Sequence, residues 1–239
     1  MLRREPILNA PRSVLVLLGV LAAIHAGRWL LTERQDETFL LSLAFIPGRY
    51  LVDGQDLPGG EAARLWSPFT HMLLHGDLTH LLINSAWLLV FGSIVARRIG
   101  GARFLLFFVF CGLGGVATFW LFNPGLLAPM IGASGAISGL LAAVLRFLFN
   151  ATDRGYPALG PSARPVPLMS IGQTLTDRRA ALTIVIWMVL NAVLAFGFVD
   201  LAPQGGIAWE AHVGGFWAGF LTFGFFDRAP PQAAATTFH

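Results

Sequence analysis

The sequence predicts an all-helical, polytopic membrane protein with six transmembrane helices, and three observations carry that prediction. Only 12% of its 239 residues are charged, against about 25% in soluble domains. The apolar set makes up 55% of the chain, with 20 Phe and 7 Trp, more apolar surface than one soluble core of this size can hide. The apolar residues also gather into six runs of the length that crosses about 30 Å of hydrocarbon at ~1.5 Å per helical residue.

In chain order the runs are Val14 to Leu31, His71 to Ala96, Arg103 to Phe122, Ser134 to Phe149, Ala181 to Val199 and Ile207 to Phe226. The first follows Arg3, Arg4 and Arg12 as in a signal peptide, but Ile24-His25-Ala26 is a poor cleavage site, so the run is read as a retained span. Residues 32–65 form a long outer loop. Within it Phe39-Leu40-Leu41 and Leu43 to Ile46 are too short to cross and read as an interfacial amphipathic segment. Residues 151–180, with Pro157, Pro161, Pro165 and Pro167, read as a cytoplasmic linker. Residues 1–13 form a cytoplasmic N-terminal segment, 14–228 one six-span domain, and 229–239 a disordered cytoplasmic tail.

Orientation follows from arginine, because cytoplasmic loops retain positive charge. Arg3, Arg4 and Arg12, then Arg97, Arg98 and Arg103, then Arg154, Arg164, Arg178 and Arg179 all fall on one side. Both termini are therefore expected in the cytoplasm. All 16 basic residues are Arg, yet the net charge is only +3 and dispersed, which excludes a nucleic-acid partner and leaves the lipid bilayer as the expected one. A single cysteine, Cys111, forms no internal disulfide and reads as inert packing.

Polar residues inside lipid are costly, so those on the spans are the candidates for function. They are His71, His75, His80 and Asn84 on span two, Gly132 to Gly135 and Ser138 at span four, Asn191 on span five and Ala211 to Gly215 on span six, with His25 near the end of span one. Asn84 lies 13 residues before Arg97, Ser134 lies 12 before Arg146, and His212 lies 15 before Asp227. At helical rise these counts are about 18 to 23 Å, which puts three polar groups from three spans at one depth, roughly 7 to 12 Å below the outer hydrocarbon boundary.

Span four is short, about 24 Å, so Ser134 is submerged and the preceding Pro124-Gly125 and Pro129 loop must dip into the protein. A hydroxyl then sits at a helix N-terminus, whose free N–H groups favour developing negative charge. A serine beside a histidine is the minimum for nucleophilic acyl transfer. Glu210 lies two residues from His212, about 200° around the helix, and is not placed to orient the ring, so the expectation is a Ser134–His212 dyad. His80 and Asn84, four apart on one helix face, offer donors to an oxyanion beside the Ser134 amide. Gly135 and Gly139, with Gly215 and Gly219, form two small-xxx-small pairs that let spans four and six approach closely.

These residues resemble the rhomboid family of intramembrane serine proteases in its minimal bacterial, six-span form. The likeness rests on Phe69 to His75 continuing to His80 and Asn84, on Gly132-Ala133-Ser134-Gly135, on Ala211-His212-Val213-Gly214-Gly215 through Gly219, and on the span layout. It implies a rhomboid-like bundle in a bacterial inner (plasma) membrane, with Ser134 as nucleophile, His212 as general base, and an oxyanion hole of His80, Asn84 and Ser134. It further implies cleavage of single-span or polytopic membrane proteins near the outer ends of their transmembrane segments. His71 and His75 are assigned supporting roles at the cavity mouth.

Two positions depart from the family pattern. Trp66-Ser67 stands where members often have Trp-Arg, and Ser138 stands where some carry an aromatic that packs on the catalytic histidine. These departures sustain an alternative, a catalytically inactive rhomboid-fold protein that binds transmembrane segments. A metal or haem protein using His71, His75, His80 and His212 is the third class. His71 and His75 have helical i, i+4 spacing, but no Cys and few carboxylates join them at that depth, so no metal or cofactor is expected.

Overall fold

The computed structural model describes residues 10–51, 57–155, 166–197 and 207–227, and the expected tail at 229–239 and the residues 1–9 lie outside them. So do Pro157, Pro161 and Pro165 of the expected linker. Among the described residues the chain is helical without strands, and an isolated antiparallel bridge pairs Phe45 with Met130.

Helix α1 (Arg12–Arg28) starts behind Pro11 and buries Val14, Leu17, Leu21, His25 and Arg28 along one stripe. Helix α2 (Glu33–Leu43) is opened by a capping box between Thr32 and Gln35 and has no buried residue. The segment expected to be interfacial is therefore divided. Phe39 to Leu43 end α2, whereas Ala44, Phe45 and Ile46 leave the helix and are buried in the protein.

Helix α3 (Ala63–Thr70) passes into a single 3₁₀ turn at His71–Leu73, and Leu74 then turns to extended backbone. Asp77 restarts the helix by accepting from the His80 N–H at 2.8 Å. Helix α4 (Leu78–Trp87) continues through a π turn (Leu88–Gly92) into α5 (Ser93–Ile99). The second span thus begins seven residues later than its hydropathy indicates, and His71 and His75 do not share a helix. Their expected i, i+4 pairing is not formed, because the chain turns to extended backbone at Leu74, between them, and becomes helical again only after the Asp77 cap.

Helix α6 (Gly101–Phe122) follows, then α7 (Ser134–Leu145), α8 (Leu148–Asp153), α9 (Ile171–Thr176), α10 (Arg178–Gly197) and α11 (Trp209–Phe226). Among the described residues three continuous helices, Leu78–Ile99, Gly101–Phe122 and Ser134–Asp153, are long and apolar enough to cross a membrane. Helices α1, α10 and α11 fall on the runs read as spans one, five and six.

Helix α7 is the centre of the bundle, and every residue after Ser134 on it is buried. Its near-total enclosure follows from small residues at the contacts, since α11 meets it at Gly215 and Gly219 and Cys111 of α6 packs on its Gly139. The seven-residue Phe-rich run 104–110, which reads as lipid-facing, is in fact turned inward on one side: Phe104, Phe107 and Phe108 are buried and Phe110 is not. Phe107 meets Phe223 and Phe226 at ring distances of 5.2 and 5.0 Å, filling the space that small residues elsewhere leave.

At the end of the bundle away from Ser134, two arginines fasten the helices. Arg98 grips Asp227 with two bonds of 2.9 and 2.6 Å and lies 4.3 Å over the Phe147 ring. Arg146 donates to the Phe220 carbonyl of α11 at 2.7 Å and to Met169 at 2.9 and 2.7 Å.

At the Ser134 end, the buried Arg28 holds Asp36 through two bonds of 2.6 and 2.8 Å and donates to the His75 carbonyl at 2.6 Å. Hydrogen bonding from Arg28 holds the Asp36 carboxyl below its ordinary value of 3.8. A carboxyl lowered in the folded state adds stability above the unfolded value, and that stability is lost as pH falls through the folded one. Asp36→Asn should therefore cost about 1–3 kcal/mol at neutral pH by leaving Arg28 short of acceptors. The difference between the two proteins should shrink as pH drops below about 4. Thermal unfolding of both proteins from pH 7 to pH 3 measures this, and parallel curves throughout would contradict it.

Candidate active site

The chain ahead of Ser134 cannot be helical, because Pro124 and Pro129 punctuate it and Gly132 has φ +118°. Its free backbone groups are satisfied by the first loop instead. Phe45 and Met130 exchange two backbone bonds of 3.1 and 2.8 Å, the Gly48 N–H donates to the Leu126 carbonyl at 2.8 Å, and the Gly132 N–H donates to the His71 carbonyl at 2.9 Å. His71 thus supports the loop through its main chain, while its buried ring lies near the Ser67 carbonyl.

This loop delivers Ser134 as the first residue of α7, with Ala133 buried before it. No side chain caps that N-terminus, so the first amides of the helix remain available to a ligand. His212 stands on the first turn of α11 with its Nε2 2.8 Å from the Ser134 Oγ. Both side chains are only half-buried, unlike the residues behind them.

His80, on the first turn of α4, faces the same spot. A Cβ at Gly132 would lie 2.8 Å from His80 Nε2 and 3.7 Å from Ser134 Oγ, so glycine is needed there for space as well as for backbone angle. Asn84 is buried one turn further along α4 and donates one amide N–H to the His80 carbonyl at 2.9 Å, leaving the other uncommitted. Ser134, His212 and His80 are thus brought together, with Asn84 behind His80. The buried His75 ring lies edge-on to His80 at 5.0 Å, and its ring nitrogens have no hydrogen-bond partner. Glu210 turns away and accepts from Asn123 at 2.9 Å, as its helical offset from His212 requires.

For one candidate, Asn191, the sequence names the residue but not its partner. Asn191, buried on α10, places its Oδ1 2.9 Å from His212 Nδ1, and Trp187 one turn earlier sets its ring 6.5 Å from the imidazole. A signal for it existed: Asn191 lies 12 residues after Arg179, about 18 Å at helical rise, the same depth as Ser134.

The two departing positions have local explanations. Ser67 is fully buried, and the loop around it is organised by the fully buried Arg49, which donates to the carbonyls of Leu41 (2.7 Å), Pro58 (2.8 Å) and Gly60 (3.3 Å). Arg64 donates in turn to the Arg49 carbonyl at 2.8 Å. Ser138 bonds back to the Ser134 carbonyl at 2.7 Å, and the aromatic beside the histidine comes from α10 as Trp187.

Residues 62–228 match the model of the Rhomboid domain. The chain is 33% identical to rhomboid protease GluP of Bacillus subtilis over 156 residues, 65% of this chain and 25% of that protein. It is 29% identical to RHOMBOID-like protein 5 of Arabidopsis thaliana over 174 residues, 72% of this chain and 47% of that protein. RHOMBOID-like protein 1 of the same plant is 28% identical over 168 residues, 70% of this chain and 36% of that protein. The matched region thus spans between a quarter and about half of these relatives' lengths.

Proposed function

Because this chain belongs to the rhomboid family, we propose that it is an intramembrane serine endopeptidase that cuts transmembrane segments of other membrane proteins near their outer ends. Ser134 and His212 are its catalytic dyad. The observation that carries this reading is the 2.8 Å contact between Ser134 Oγ and His212 Nε2 across two helices. In this reading residues 14–228 form one domain whose six spans place both termini in the cytoplasm, in a bacterial inner membrane.

The chemistry divides into two halves. Ser134 Oγ attacks the scissile carbonyl carbon while His212 Nε2 takes the hydroxyl proton. The carbonyl oxygen becomes an oxyanion held by the Ser134 amide, His80 and Asn84. Collapse breaks the C–N bond, His212 gives its proton to the leaving amine, and an ester joins the substrate to Ser134. Water then loses a proton to His212 and attacks the ester; the C–O bond to Ser134 breaks, His212 returns that proton to Ser134 Oγ, and the carboxyl product leaves. The half-buried site beneath the outer loop admits that water, whereas the lipid-facing helices do not.

Incubating the purified protein in lipid vesicles with a single-span reporter tests the reading. Cleavage within the outer part of the reporter's span is expected, together with fluorophosphonate labelling of Ser134. Folded protein that neither labels nor cleaves would transfer the reading to a transmembrane-segment binder. Loss of one oxyanion donor typically costs about 10²- to 10³-fold. Asn84→Ala is therefore expected to lower kcat by about 10- to 1,000-fold with little change in KM, read from reporter cleavage at saturating and limiting substrate. An unchanged kcat would remove Asn84 from the oxyanion hole.

A further inference from the structure

We infer that Asn191 is a positioning residue of the active site, the third member of a Ser134–His212–Asn191 relay carried on α10. This rests on the Ser134–His212 reading and extends it. A dyad leaves one question of chemistry open: what holds the histidine as the tautomer with a lone pair on Nε2 and a proton on Nδ1. An acid usually answers it, but Glu210 is bonded to Asn123 and is not available.

The hydrogen bonds of Asn191 fix the answer by elimination. Its amide nitrogen donates to the Trp187 carbonyl at 2.8 Å, and a carbonyl only accepts. The other end of the amide, facing His212 Nδ1 at 2.9 Å, is therefore the oxygen. An oxygen there requires Nδ1 to be the protonated nitrogen. The Nε2 lone pair then points at the Ser134 hydroxyl 2.8 Å away, as general base catalysis demands. The same bond persists when His212 becomes an imidazolium, since Nδ1 keeps its proton throughout the cycle. Trp187 flanks the ring from the same helix face, 6.5 Å between ring centres.

Asn191 is nearly fully buried, so its amide is not exchanging with bulk water. The titratable side chain that faces the site from α4 is His80, whose Nε2 lies on the Ser134 side of Gly132. From α7 the site presents Ser134 and Ser138, from α6 Cys111 packs a turn away against Gly139, and α10 carries no charged side chain between Ala180 and Gly197. A carboxylate introduced at 191 would therefore act on the imidazole with few competitors.

Three variants test this: Asn191→Leu, Asn191→Asp and Ser134→Ala, each in lipid vesicles with the single-span reporter. Asn191→Leu keeps the volume and removes the acceptor, so kcat should fall about 10- to 100-fold with KM within about threefold of wild type. Asn191→Asp keeps the acceptor and favours the imidazolium. It should retain more activity, with the acid limb of its rate profile moved to higher pH. Wild-type kcat in Asn191→Leu, while Ser134→Ala is inactive, overturns the role of Asn191 alone. Activity in Ser134→Ala overturns the dyad itself. If Asn191→Leu does not fold, the Asp variant decides: an acid limb that stays where the wild type has it overturns the inference.

Discussion

Ser134→Ala and His212→Ala are each expected to lower reporter cleavage by about 10⁴-fold or more, to the level of the background, while leaving the protein folded. The size of the loss follows from what the two groups do as a unit. Without the hydroxyl there is no nucleophile to form the ester, and without the imidazole the hydroxyl keeps its proton at neutral pH. Because both act in one step, the double variant should be no worse than either single one. That non-additivity distinguishes a shared chemical step from two separate structural injuries.

Folding should survive because neither side chain carries the bundle. Ser134 does not cap α7, whose N-cap is Ala133, and alanine suits a first helical position. His212 is half-buried, and its removal leaves the Asn191 amide still donating to the Trp187 carbonyl within α10. Thermal midpoints within a few degrees of wild type, with loss of both fluorophosphonate labelling and cleavage, are the expected pair of results. Turnover by the Ser134→Ala protein at the wild-type rate would refute the assignment.

Much of this site was legible in the sequence because depth in a membrane is a one-dimensional quantity. Counting from an arginine at one boundary sets the height of a polar residue on a helix, and Ser134, His212 and Asn84 fall at one height by that count alone. Asn191 obeys the same count, but a lone asparagine on a span reads as an interhelical donor until the facing residue is known. What the count cannot give is rotation. The phenylalanines of α6 read as lipid-facing because every member of the run is apolar, yet packing turns Phe104, Phe107 and Phe108 inward. Arg49 was invisible for a related reason. An arginine in a loop reads as a solvated charge, and only the folded loop shows the three carbonyls that accept from it. The late start of α4 was written in Gly76-Asp77, a breaker and a cap lying inside a run that hydropathy alone treats as continuous.

The glycines of α7 and α11 were readable as close-approach residues, and they carry the second large effect. A Cβ on Gly215 would overlap the carbonyl oxygen of Gly135, and one on Gly219 would overlap that of Gly139. Backbone cannot rotate aside as a side chain can, so Gly215→Ala has to push α11 away from α7. Overpacking a tight interface costs about 1–3 kcal/mol even where side chains can adjust; here the obstacle is main chain, and a loss of at least that size is expected. The catalytic consequence exceeds the stability one. Gly135 adjoins Ser134 and Gly215 lies one turn beyond His212, so the seam that the methyl group opens is the one that sets the Ser134–His212 distance. A separation of about 1 Å is enough to cost about 100-fold in rate. The control is Gly19→Ala on α1, where a Cβ meets nothing within 4 Å and the change to alanine in a helix is worth up to about 1 kcal/mol of added stability. Gly215→Ala should lower the unfolding temperature and suppress fluorophosphonate labelling of whatever fraction stays folded, while Gly19→Ala does neither. Equal stability and equal labelling in the two variants would mean that α7 and α11 are not held together at these glycines, and the geometry that brings histidine to serine would need another source.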